Sequence, residues 1–158
     1  MILDAAQAFS LPYPGSRESA LAFLRDPEFS LAHVRFLRGV EVELGTVRAS
    51  LLVSVPMLGL VALPFQSRLV ETADGAQLEA VPLPDRLWAE LEGEGMVCEA
   101  AEGRTLHYAL RLRAHLDVPQ AEKWGGQAFE KMLRETARRT LERVAKDFPA
   151  GVAAAITP

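Results

Sequence analysis

The stretch LWAELEGEGMVCEAAEGRTLHYALRLRAHL, residues 87–116, decides the fold because its two halves pair well in a single register. If Glu99 lies opposite Arg104, apolar side chains share one face of the hairpin: Leu87, Ala89, Leu91, Val97, Leu106, Leu112, Ala114 and Leu116. The other face then pairs acidic with basic residues: Glu90 with Arg113 and Glu92 with Arg111. A slip by one residue would bury the charges and expose the leucines, so the pattern predicts an antiparallel hairpin of defined register.

Alternation of apolar and polar residues continues upstream as far as about Arg38 and predicts further hairpins. Their turns fall at residues 44–45, 56–60 and 72–75. The register of each hairpin pairs apolar residues with apolar ones, and acidic residues with basic ones where charges occur. The predicted pairs are Val42–Val47, Val40–Ala49, Glu41–Arg48, Val55–Val61, Val53–Leu63, Leu51–Phe65, Leu69–Leu78 and Arg68–Glu79. With a first strand over residues 2–11, the sequence predicts a sheet of about seven antiparallel strands.

Helical spacing of apolar residues occurs near the start of the chain and again after the last hairpin. Ser16 stands at an N-cap position before a short helix that Pro27 ends, and a second short helix follows over about residues 28–33. After Pro119, apolar residues three and four apart predict a long amphipathic helix over residues 120–148. We expect Pro149 to end it, which leaves a single domain over residues 1–149 and a short tail over 150–158.

The composition is that of one globular domain: 158 residues, of which 49% are hydrophobic and 24% charged. The net charge of −4 argues against a nucleic-acid partner, because such proteins present a basic surface. Cys98 is the single cysteine and the first residues lack the pattern of a signal peptide, so we expect a cytoplasmic protein. No uninterrupted apolar run reaches the roughly 18 residues that would predict a transmembrane segment.

The order of elements resembles that of the START/Bet v 1-like superfamily, also called SRPBCC or polyketide cyclase/lipid-transport-like. The segments SRESALAFLRDPEF, residues 16–29, and LHYALRLRAHLDVPQAEKWGGQAFEKMLRETARRTLERV, residues 106–144, carry the resemblance. Within the superfamily the chain is most similar to a small bacterial family without an assigned activity. The resemblance implies an α+β helix-grip fold, in which a curved antiparallel sheet surrounds the long C-terminal helix. It also implies an apolar cavity between them that holds a hydrophobic ligand.

A physical argument for the cavity comes from the register of the last hairpin. It places Gly93 opposite Leu110 and Gly95 opposite Tyr108 on the inner face, where the glycines remove side-chain volume and let the strand bend. Either Leu110 and Tyr108 fill the resulting space, or a ligand does. In the second case we expect the ligand to contact Leu51, Val53, Leu63, Phe65, Tyr108, Leu110, Phe129 and Met132.

The sequence lacks the common motifs for nucleophilic catalysis, nucleotide binding and zinc binding, and we expect no catalytic residue, metal or cofactor. His107 and His115 share the outward strand face about 27 Å apart, too far to bind one ion. The glutamates at positions 90, 92 and 94 are typical of a surface ion-pair ladder rather than of paired acid–base carboxylates.

Three functions remain open. The preferred interpretation is a non-catalytic protein that binds a hydrophobic small molecule or lipid between sheet and helix. An enzyme of the cyclase or hydrolase kind would use the same cavity. A protein-interaction module, including a homodimer, would have a filled core and would use the apolar residues expected at the surface: Met57, Leu58, Leu60 and Trp88.

Overall fold

A computed structural model describes residues 1–55, 58–117 and 126–157. These residues form seven strands and three helices: β1 (Ile2–Pro12), α1 (Arg17–Leu24), α2 (Pro27–Ser30), β2 (Leu37–Glu43), β3 (Thr46–Val55), β4 (Gly59–Thr72), β5 (Gly75–Val81), β6 (Leu87–Ala100), β7 (Gly103–Leu116) and α3 (Gly126–Ile156). The strands form one antiparallel sheet in the order β1-β7-β6-β5-β4-β3-β2. This confirms the predicted helix-grip architecture, with two short helices before β2 and a long one after β7.

The β6–β7 hairpin has the predicted register along its whole length. Leu91 lies opposite Leu112 and Glu92 opposite Arg111. Four inward leucines of the two strands, at positions 91, 106, 112 and 116, are at most 1% exposed. A slip by one residue would lose this burial. The β4–β5 register is also as predicted, with the pairs Leu69–Leu78 and Arg68–Glu79.

The β2–β3 hairpin follows its predicted register only near the turn. Glu41 lies opposite Arg48 as expected, but the register then shifts, and Arg38 lies opposite Ser50. A β-bulge at residues 39–40 therefore replaces the simple pairing predicted for Val40. Glycine at position 39 adopts a φ of 68°, which suits the left-handed first residue of such a bulge.

The register predicted for β3 and β4 is wrong by two residues. Val53 lies opposite Val61 rather than Leu63, and the strands stay paired as far as Val55 and Gly59. The prediction assumed a longer loop, because it took residues 56–60 as unpaired. A shift of two residues leaves every side chain on its original face, so alternation of apolar and polar residues cannot detect it.

The two short helices begin where side-chain caps allow them to begin. Ser16 caps α1, and its Oγ accepts a hydrogen bond from the backbone N–H of Ser19 at 3.1 Å. Asp26 caps α2 in the same way, and Pro27 occupies the first turn, where its missing N–H is not needed. Pro27 thus starts α2 as well as ending α1, and α2 stops at Ser30, earlier than predicted.

The prediction that the long helix ends by Phe148 is wrong, because α3 continues through Pro149 to Ile156. A proline inside a helix removes one hydrogen bond and typically costs about 3 kcal/mol. Burial offsets this cost: Val152 is 0% and Ala155 2% exposed, so the last turns complete the core. The division of the chain at residue 149 into domain and tail stays a prediction.

One face of α3 packs along the sheet and against α2. Its buried residues are Leu133, Ala137, Leu141, Val144, Ala145, Phe148, Gly151, Val152 and Ala155. The predicted start at residue 120, with Trp124, lies outside the described residues, and the described helix begins at Gly126. In the described part of the chain, neither α3 nor a shorter helix is long and apolar enough to cross a membrane.

Candidate functional site

Three glycines lie where β5 and β6 meet: Gly75, Gly93 and Gly95. A Cβ atom on Gly75 would clash with the carbonyl oxygen of Gly95, and one on Gly93 would clash with the carbonyl oxygen of Ala109. The strands β5 and β6 pair only over residues 75–78 and 93–96. Glycine is therefore required at positions 75 and 93 by the close approach of backbones rather than by the need for an open space.

An apolar cavity lies beside this junction. Its walls come from the sheet, from α1 and α2 through Leu24, Pro27 and Leu31, and from α3 through Phe148. Its volume of about 40 Å³ is room for only two or three water molecules. Ligand pockets usually measure about 300 Å³ or more, so the side chains around the cavity nearly fill it in this conformation.

The structure places two of the predicted ligand contacts, Tyr108 and Leu110, in the wall of this cavity. Four others are buried elsewhere in the same hydrophobic core: Leu51, Val53, Leu63 and Phe65. Phe129 packs against the edge of that core, and Met132 is 52% exposed on α3. The residues of α1 and α2 in the cavity wall were missed, because nothing in the sequence shows that these helices fold over Gly95.

Tyr108 is the residue of the cavity wall whose buried polar group has no partner in the described part of the chain. Its ring stacks on Phe9 with 5.0 Å between the ring centroids, and it lies beside Gly95, which leaves room for it. Its hydroxyl is buried and finds no hydrogen-bond partner among the described residues. Burial raises the pKa of the Tyr108 phenol, so this group keeps its proton at neutral pH.

Polar contacts fasten α1 to the turn between β4 and β5. The guanidinium of Arg25 donates hydrogen bonds to the carbonyl oxygens of Thr72, at 2.6 Å, and Gly75, at 3.1 Å. Arg17 forms an ion pair of 2.9 Å with Asp74 in the same turn. These contacts hold α1 over the cavity, although neither arginine lines it.

The outer face of the sheet carries the predicted ion-pair ladder, together with one residue that sequence reasoning missed. Arg113 lies 3.7 Å from Glu90, and Arg111 lies 3.9 Å from Glu92. Asp4 on β1 accepts two hydrogen bonds from Arg111, at 2.9 and 2.7 Å, and these bonds lower the pKa of its carboxyl group. Asp4 was missed because the pairing of β1 with β7 was not assigned from the sequence.

The histidines and the cysteine do not come together in the structure. His115 stacks on Trp88 at 3.8 Å and lies 2.8 Å from a carboxylate oxygen of Glu90. His107 lies between the hydroxyls of Ser10 and Thr105, and Cys98 is a half-buried free thiol. Within residues 1–55, 58–117 and 126–157, no cluster of His, Cys, Asp and Glu is arranged to hold a metal ion.

Solved aromatase/cyclase structures share this fold. The di-domain ARO/CYC StfQ from the steffimycin biosynthetic pathway is 17% identical, with a TM-score of 0.55; the match covers 96% of this chain and 50% of that one. This chain therefore spans half the length of that protein. The Zhui aromatase/cyclase from Streptomyces sp. R1128 is 14% identical, with a TM-score of 0.55 over 99% of this chain and 92% of that one.

The protein TTHA0849 from Thermus thermophilus is 17% identical, with a TM-score of 0.55 over 96% of this chain and 98% of that one. At such identities the likeness shows the fold alone, which is the helix-grip fold predicted from the sequence. No curated protein matches the sequence of this chain. A family model described as "Protein of unknown function (DUF3809)" matches residues 8–146, from within β1 into α3. The chain belongs to the DUF3809 family.

Proposed function

We propose that this protein binds a hydrophobic small molecule or lipid, without catalysing a reaction, in the cavity between the sheet and the three helices. The observation that carries the proposal is the apolar wall formed around Gly95 by Leu24, Leu110 and Phe148. Such a wall favours the transfer of an apolar molecule out of water. We place this function in the cytoplasm, because a single half-buried thiol fits a reducing compartment.

The cavity has to widen before it can hold such a ligand. Of its walls, α1 and α2 are the short elements, and they cover the cavity without being part of the hydrogen-bonded sheet. The strands β6 and β7, in contrast, are paired along their whole length. We therefore expect a ligand to displace α1 and α2 and to leave the β6–β7 hairpin in place.

The titratable groups near the cavity favour binding over catalysis. General acid–base catalysis needs a group that gives up or accepts a proton near neutral pH. The phenol of Tyr108 keeps its proton there, because burial raises its pKa. Glu94 lies at the rim of the cavity but is exposed to solvent, and Glu90 and Glu92 face arginines on the outer side of the sheet.

A binding experiment with two matched variants of α1 tests the proposal. Leu24 lines the cavity, whereas Leu21 on the same helix does not, and each Leu→Ala change removes the same atoms. The apolar fluorescent probe N-phenylnaphthylamine should bind Leu24→Ala more tightly than the wild type, because the cavity is larger, and should bind Leu21→Ala like the wild type. Equal binding to all three folded proteins, or no binding to any of them, contradicts the proposal. Native mass spectrometry of freshly purified protein tests for a co-purifying ligand.

Exposed leucines after β3 favour a second candidate function, an interaction with a second copy of this chain. Leu58 is 49% and Leu60 66% exposed, while Met57 lies outside the described residues. Trp88 is less available for contact with a partner than expected, because its ring stacks on that of His115. Light scattering of the wild type and of Leu60→Ser measures the mass in solution. A dimer that Leu60→Ser dissociates supports this function, and a monomeric wild type contradicts it.

A further inference from the structure

The hydroxyl group of Tyr108 is not explained by packing. The residue is only 9% exposed, and its hydroxyl has no hydrogen-bond partner among the described residues. A buried hydroxyl without a partner has given up its hydrogen bonds to water, which destabilises the folded state. Phenylalanine would stack on Phe9 and fill the same space without this penalty. Among the residues that the structure describes, none therefore makes use of this hydroxyl in folding.

The surroundings of this hydroxyl restrict what it can meet. Leucines, Pro27 and Phe148 form most of the cavity wall. Its other polar residues are Ser30, which is buried, Gln77, which is partly buried, and Glu94, which is exposed. No lysine, arginine or histidine lines the cavity in the described part of the chain. An ionised carboxylate or phosphate inside the cavity would thus lose its hydration without gaining a cation. An uncharged oxygen, such as that of a ketone, an ester or an ether, has no such penalty.

We propose that Tyr108 donates a hydrogen bond to an uncharged acceptor oxygen of the bound ligand, so the ligand is an apolar molecule that carries a carbonyl or a similar oxygen. This inference rests on the proposed binding function and adds the chemical class of the ligand. The direction of the hydrogen bond follows from the protonation state, because a phenol that keeps its proton at neutral pH is available as a donor. The ligand then supplies the partner that the described residues do not offer.

Three naphthalene derivatives of similar size test this inference, with binding measured by titration calorimetry. Acetylnaphthalene carries a carbonyl oxygen, isopropylnaphthalene has none, and naphthoate is charged. The proteins are the wild type, Tyr108→Phe, and the matched control Tyr13→Phe, which changes a tyrosine outside this cavity. Tyr108→Phe should weaken acetylnaphthalene binding about five- to tenfold, which corresponds to the usual net free energy of one hydrogen bond. It should leave isopropylnaphthalene binding unchanged. Tyr13→Phe should change neither, and naphthoate should bind the wild type least tightly.

The outcomes separate this inference from the binding function on which it rests. If acetylnaphthalene binds the wild type and Tyr108→Phe equally, the hydrogen bond is refuted and the binding function stands. If none of the three compounds binds the wild type, both fail. The melting temperature without ligand gives an independent result. Tyr108→Phe should melt at a higher temperature than the wild type, because it removes an unpaired hydroxyl. A lower melting temperature would mean that the hydroxyl has a structural partner, which overturns the inference.

Discussion

Gly95 and Leu24 lie so close together in the cavity wall that the effects of substituting them on the free energy of unfolding should not be additive. A Cβ atom added to Gly95 would stand 2.8 Å from Cδ2 of Leu24 and 3.4 Å from Cε1 of Tyr108. The first distance is too short for two carbon atoms, so Leu24 has to move or rotate. Overpacking typically costs about 1 to 3 kcal/mol, and because the atom met is the flexible end of Leu24 we expect the clash in Gly95→Ala to cost about 1 kcal/mol, before the strand preference of alanine is counted.

Leu24→Ala removes the side-chain carbon that causes this clash. On its own it should lower the free energy of unfolding by about 2 to 5 kcal/mol, as expected for a buried leucine. In the Leu24→Ala background the new methyl group at position 95 has room, and alanine is favoured over glycine in a strand by roughly 0.5 to 1 kcal/mol. The double variant should therefore be less destabilised than the sum of the two single variants by the cost of the clash, about 1 kcal/mol.

Urea unfolding of the wild type, the two single variants and the double variant measures this coupling energy. The fluorescence of Trp88, which lies on β6, can report the transition. Leu21→Ala combined with Gly95→Ala is the control, and we expect that pair to be additive because Leu21 does not line the cavity. A coupling below about 0.5 kcal/mol between positions 24 and 95 would show that α1 does not sit over Gly95.

Three further predictions concern stability. Burial raises the pKa of Tyr108, so above about pH 10 the unfolded chain loses this proton before the folded one does. The unfolding free energy of the wild type should then fall relative to Tyr108→Phe by up to about 1.4 kcal/mol per pH unit; parallel pH profiles in urea titrations would contradict this. Leu44 is 99% exposed with a φ of 50°, so Leu44→Asn, which tolerates this conformation better, should raise the unfolding free energy by about 0.5 to 1 kcal/mol; no gain in urea unfolding would refute the strain. A methyl group on Gly151 would stand 2.8 Å from Cα of Val34, so Gly151→Ala should cost about 1 to 3 kcal/mol, and a higher melting temperature would contradict that close approach.

The register of a strand pair is predictable from the sequence where two independent patterns constrain the same pair. On β6 and β7 the apolar face and the charged face both require the register that pairs Leu91 with Leu112, and the structure has it. On β3 and β4 only the apolar face constrains the register, and two registers that differ by two residues give the same alternation of apolar and polar residues. The sequence could not distinguish them, and Val53 was predicted opposite Leu63, whereas it lies opposite Val61.

The end of α3 and the position of α1 depend on tertiary packing. Pro149 is a local signal for the end of a helix, but the burial of Val152 and Ala155 against the rest of the fold outweighs it. In the same way, the spacing of Ala20, Phe23 and Leu24 shows that α1 has a buried face. It does not show which strand that face covers. The residues predicted to line the cavity therefore included Tyr108 from the sheet and omitted Leu24, although both lie in its wall.

Arg25 and Arg17 hold α1 to the β4–β5 turn from outside the cavity, so their contacts oppose the widening that the binding of a ligand would need. Neither side chain lines the cavity, so neither contributes a contact to a molecule bound there. If a ligand displaces α1, Arg25 has to release the carbonyl oxygens of Thr72 and Gly75 for as long as the ligand is bound. The free energy of these contacts then opposes binding, so weakening them should lower the dissociation constant. The affinity of the protein for a ligand would thus depend on two arginines that the ligand never touches.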